Sequence, residues 1–98
     1  MKGYEETCLT LFEAGKLYTE EGFKQAKEAF EEEAKDPWFA EHYYATAEWL
    51  LETDEYIPNF DNDAKLAQME IDVLNRLGYT RLAKLYKAWL IEAIANHK

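Results

Sequence analysis

Ninety-eight residues give room for one hydrophobic core and not for two. Apolar residues make up 48% of the chain and aromatics 15%, which excludes an intrinsically disordered chain despite a net charge of −9. The charge is divided: residues 1–63 hold 17 Asp and Glu against 5 Lys and Arg, and residues 64–98 hold 3 against 6. So acidic a first part repels nucleic acid and favours basic partners.

With one valine (Val73), no serine and abundant Ala, Leu, Glu and Lys, strands have almost nothing to be built from, and the class is all-α. Tyr4, Cys8, Leu11, Gly15 and Tyr18 recur on one helical face and predict helix one over about 3–20, ending near Gly22. Phe23, Ala26, Phe30 and Ala34 trace a narrower stripe, predicting a surface helix over about 23–35. Asp36-Pro37 starts the third, with Asp as N-cap and Pro at the first helical position. That helix, about 37–53, carries Trp38, Phe39, Tyr43, Tyr44, Trp49, Leu50 and Leu51 around most of its circumference and is expected at the centre of the core.

The segment after Thr53, with Pro58 and an Asp/Asn cluster, reads as a loop in which Asp61, Asn62 or Asp63 caps the next helix. Stripes of Leu66, Met69, Val73, Leu77 and of Ala67, Ile71, Leu74 predict helix four at about 63–77, closed by Gly78 in the left-handed C′ position. Thr80 caps helix five, about 81–96, whose apolar face holds Leu82, Leu85, Tyr86, Trp89, Leu90, Ala93 and Ile94. Arg81, Lys84 and Lys87 form its basic exterior. The fold expected is a single domain over 1–98, a compact antiparallel bundle or array of about five helices.

The run GKLYTEEGFKQAKEAF, with Gly15, Tyr18, Gly22, Phe23, Ala26 and Phe30, resembles one tetratricopeptide repeat, and Pro37 lies near that motif's closing proline. The chain is one residue short after Gly22 and one short before Pro37. A weaker echo, RLGYTRLAKLYKAW, places Gly78, Tyr79, Ala83 and Tyr86 around a second hairpin. The resemblance implies stacked helical hairpins; an irregular bundle using the same hairpin physics is the alternative.

Catalytic motifs are missing from the sequence. Without serine there is no serine nucleophile, and Cys8 sits on an apolar stripe with no His near it in sequence, so it reads as packing. His42 lacks the Glu-x-x-His or His-x-x-x-His spacing of helical metal sites, Asp54, Asp61 and Asp63 lack the calcium-loop pattern, and there is no glycine-rich phosphate loop. No catalytic residue, metal or cofactor is expected. With one cysteine, no leader-like opening and no apolar stretch near the roughly 20 residues that span a bilayer, a soluble cytoplasmic protein is expected.

Glu31, Glu32 and Glu33, with Asp36 beyond them, lie at the C-terminal end of helix two, where the helix dipole disfavours negative charge. They first read as a solvated face. Together with Glu20, Glu21 and Glu28 they also form a candidate binding surface. Trp38, Tyr44, Trp49 and Tyr56 are read as core before interface, with Trp38 and Tyr56 the candidates for contact. The function expected is a non-enzymatic protein-protein interaction module, a small acidic helical adaptor for another protein with a basic surface. The alternative is an acidic nucleic-acid mimic that inhibits a DNA- or RNA-binding protein, as phage anti-restriction and anti-CRISPR proteins do. Direct nucleic-acid binding through Arg76, Arg81, Lys84 and Lys87 is not expected against the overall charge, and those cations instead suggest self-association with the acidic helix two of another copy.

Overall fold

A computed structural model describes residues 4–42 and 60–97. Those residues form five α-helices and no strand: α1 (Tyr4–Glu13), α2 (Glu20–Ala34), α3 (Pro37–His42), α4 (Phe60–Arg76) and α5 (Thr80–His97). This is the all-α bundle expected. Its radius of gyration, 12.7 Å, is close to the about 13 Å of a compact 100-residue domain.

Helix one stops earlier than its apolar stripe suggests. α1 ends at Glu13, and Gly15, with φ of +72°, closes it: Lys16 N–H donates to the Leu11 carbonyl at 2.8 Å and Gly15 N–H to that of Phe12 at 3.0 Å. These are the two bonds of a Schellman C-cap, and the same pair recurs after α4, where Tyr79 bonds to Leu74 and Gly78 to Asn75. The left-handed residue was legible at Gly78 and missed at Gly15, because Gly15 and Tyr18 fall in register with Tyr4, Cys8 and Leu11 although the chain has left the helix. Leu17, outside that stripe, is buried from the turn.

α2 begins at Glu20, three residues before the expected start, because Thr19 caps it with extended backbone and a hydroxyl that accepts from Gly22 N–H at 3.0 Å. Gly22 is therefore inside a helix, not in the hairpin turn. Its use there is space: a Cβ would lie 1.6 Å from the Lys16 carbonyl oxygen. The α1–α2 turn thus presses on the first turn of α2.

Asp36 and Pro37 act as predicted. Asp36 Oδ1 accepts from Trp38 N–H at 3.0 Å, its carbonyl accepts from Ala40 N–H, and α3 starts at Pro37. Of the helix expected over 37–53, the described part is Pro37–His42; Tyr43, Tyr44, Trp49, Leu50, Leu51 and most of the expected loop, with Tyr56, lie outside the described residues. α4 starts at Phe60, so Asp61, Asn62 and Asp63 belong to its first turn instead of preceding it. There the carboxylates meet the positive end of the helix dipole.

α2, expected on the surface, is the hub: it packs against α1, α3 and α4, while α5 packs mainly on α4. Phe30 stands at the centre, edge-on to Tyr4 at 5.0 Å and tilted against Phe39 at 5.7 Å. Cys8, Leu11, Ala26, Ala34, Leu66, Ile71, Val73 and Leu74 complete this core. The sequence misassigns four residues to it. Trp38 and Leu77 are exposed, Leu77 in the turn just past α4, and so are Leu85 and Ile94, because α5, an outer helix resting mainly on one neighbour, buries a single narrow face while its apolar residues run almost around it.

Candidate interaction surface

The exposed residues of α2 are Glu20, Glu21, Lys24, Glu28 and Glu32, and Asp36 follows in the turn to α3. Glu21, Glu28 and Glu32 are spaced i, i+7, i+11 and so form one row along the helix. The row carries cations too. Lys24 stands between Glu21 and Glu28, and Lys35 Nζ bridges to Glu32 at 2.9 Å.

The other two acids are drawn inward. Glu31 is partly buried and forms an ion pair with Arg76 across the α2–α4 seam, and Glu33 is also partly buried. The three consecutive glutamates therefore do not act as one patch. Glu31 ties two helices together, Glu32 pairs along its own helix, and only part of the expected acidic face is open to a partner.

At the end of that face stands Trp38. Its side chain is 62% exposed and stacks on His42, with ring centroids 4.5 Å apart and an interplanar angle of 12°; His42 Nδ1–H donates to the Trp38 carbonyl at 2.8 Å. Among the described aromatic side chains it is the one left exposed; Tyr4, Phe30 and Phe39 are buried, and Tyr18, Phe23, Tyr79, Tyr86 and Trp89 partly so. Trp38 thus belongs to the surface and not to the core where the sequence first places it. Tyr56 lies outside the described residues.

Two buried acids escaped sequence reasoning. Asp63 is 1% and Glu70 0% exposed, seven residues apart on the side of α4 that also carries Leu66, Ala67 and Leu74. Asp63 Oδ1 accepts from the Tyr18 hydroxyl at 2.6 Å. Among the described residues no buried side-chain polar atom lacks a hydrogen bond. The signal was in the register: Asp63 and Glu70 fall in the apolar stripe of helix four, and an acid in such a stripe is either buried with partners or misplaced. Enclosed as they are, both carboxylates work inside the core.

Cys8 is fully buried in α1. Among the described residues no group of three or more His, Cys, Asp or Glu is placed to hold a metal ion, and no helix is long and apolar enough to cross a membrane. The open groove beside α1 is lined by Glu6, Thr7, Leu9, Thr10, Leu11 and Gln25, a set without a nucleophile and base pairing. No protein-family model, curated protein or solved structure matches this chain.

Proposed function

We propose that this protein is a non-enzymatic protein-protein interaction module, a small acidic helical adaptor that binds a partner with a basic, partly apolar surface. One observation carries the reading: a tryptophan more than half exposed and stacked on His42, just beyond the C-terminal end of the acidic helix α2. A solvent-facing Trp is costly to leave in water and contributes large contact area at low entropy cost when it enters a pocket. Asp36 and Glu41, both exposed, flank it on the same segment and select for positive charge on the rim of that pocket.

The second reading, an acidic nucleic-acid mimic inhibiting a DNA- or RNA-binding protein, is favoured by the row Glu21, Glu28, Glu32. It is weakened by Lys24 within the row and Lys35 paired to Glu32, since a row of phosphates carries no cations.

Capture from lysate on immobilised wild-type protein, W38A and an E21K/E28K/E32K variant, each eluted in rising salt, separates the two. A partner that stays through high salt on wild type and is lost on W38A supports the adaptor. A partner released at moderate salt and lost only on the charge-reversed variant supports the mimic. Partners held equally by all three proteins would place the site elsewhere.

A further inference from the structure

The outward face of α5 has a symmetry of its own. At 3.6 residues per turn, Arg81, Lys84, Leu85, Ala88, Ile91, Glu92 and Ala95 fall within an arc of about 120° centred on Ala88. All seven are exposed, Leu85 at 56% and Ile91 at 59%. Around Ala88 the arrangement is palindromic. Leu85 and Ile91 stand three residues to either side, and Lys84 and Glu92 four to either side.

We propose that this face is a homodimer interface, in which α5 pairs antiparallel with α5 of a second copy about a two-fold axis at Ala88. Turning one helix end for end about that axis sets Leu85 level with Ile91 of the second copy and Lys84 level with its Glu92, each pairing occurring twice. Two aliphatic side chains on each helix leave water, and the one acid of α5 meets a cation. Ala88 is small enough to let the helix axes approach closely at the two-fold, and Ala95 leaves room for Arg81 of the second copy, which stands level with it.

Other arrangements of two copies fit less well. A parallel pair sets Lys84 beside Lys84. Pairing with α2 of a second copy satisfies the cations, but the exposed side chains of α2 are Glu20, Glu21, Lys24, Glu28 and Glu32, which offer Leu85 and Ile91 no apolar cover. Charge and apolar complementarity are met together in the antiparallel α5 pair. The face meets the Trp38 segment at its edge, where Glu41 lines a groove with Arg81 and Leu85, while Trp38 itself lies outside the pairing.

Sedimentation equilibrium over a concentration series tests it, with circular dichroism to verify the fold of each variant. Wild type is expected to dimerise reversibly and A88E to be monomeric. K84E and E92K are each expected to weaken the dimer roughly tenfold, since each creates two like-charge contacts, and the double exchange K84E/E92K to restore it. W38A is expected to dimerise as wild type does. A wild type that stays monomeric throughout, a dimer indifferent to A88E, or single exchanges that the double does not rescue would each overturn the proposal. If A88E unfolds, the exposed charge exchanges decide the matter alone.

Discussion

The Tyr18 hydroxyl donates a 2.6 Å hydrogen bond to Asp63 Oδ1, joining the turn between α1 and α2 to the first turn of α4 across 45 residues of sequence. Asp63 is almost fully enclosed, so this bond is part of what allows a carboxylate to sit in the core at all.

Tyr18→Phe keeps the ring and removes the donor. It is expected to cost about 1–3 kcal/mol, the penalty of leaving a buried acceptor short of a partner. Urea unfolding followed by circular dichroism measures it, and a midpoint equal to wild type would show that Asp63 is satisfied without Tyr18.

Two glycines should fail for different reasons. Gly15→Ala meets no atom within 4 Å, but its φ of +72° costs an L-residue about 1–2 kcal/mol. Gly22→Ala keeps helical backbone and drives a methyl into the Lys16 carbonyl, so the turn must move; the cost should reach or pass the upper end of about 1–3 kcal/mol. Thermal melts that rank Gly15→Ala as the worse variant would contradict this account.

Phe30→Ala removes the ring on which Tyr4 and Phe39 both pack, at the meeting of α1, α2 and α3. A loss of about 3–5 kcal/mol is expected, a large share of the stability of so small a domain. Differential scanning calorimetry reads it directly. A loss under about 1 kcal/mol would mean that the core collapses onto the vacancy.

The consecutive glutamates should not behave alike. Glu32→Lys at an exposed position is expected within about 0.5 kcal/mol of wild type. Glu31→Lys sets two cations together across the α2–α4 seam and is expected to cost up to about 1 kcal/mol, with E31K/R76E recovering part of it. Equal effects at both positions would show that the Glu31–Arg76 pair contributes nothing in solution.

Local signals explain most of what was legible. Asp36-Pro37, Gly78 and the stripes of Phe23, Ala26, Phe30, Ala34 and of Ala67, Ile71, Leu74 each announce a cap, a stop or a buried or half-buried face within one helical turn, and each is found. What was hidden depends on pairs far apart in sequence. Gly22 reads as a turn until Lys16 is known to press against it, Asp63 as a cap until Tyr18 reaches it, and Glu31 as one of a row until Arg76 appears opposite. Leu85 and Ile94 look like core because periodicity reports that a helix is apolar and not how many neighbours it has. The candidate surface follows the same rule: the acids were visible from composition, while the exposure of Trp38 was decided by packing.

The pattern of helix contacts sets a timetable for folding. α1 with α2, α2 with α3, and α4 with α5 are all neighbours in sequence, and α2 against α4 is the main seam between the two ends of the described chain. Contacts this local close small loops first and favour folding in microseconds to milliseconds. The slow event is then the docking of one hairpin on another, so temperature-jump relaxation should be retarded by truncations at Phe30 or Leu66 and left nearly unchanged by substitutions on the outer face of α5.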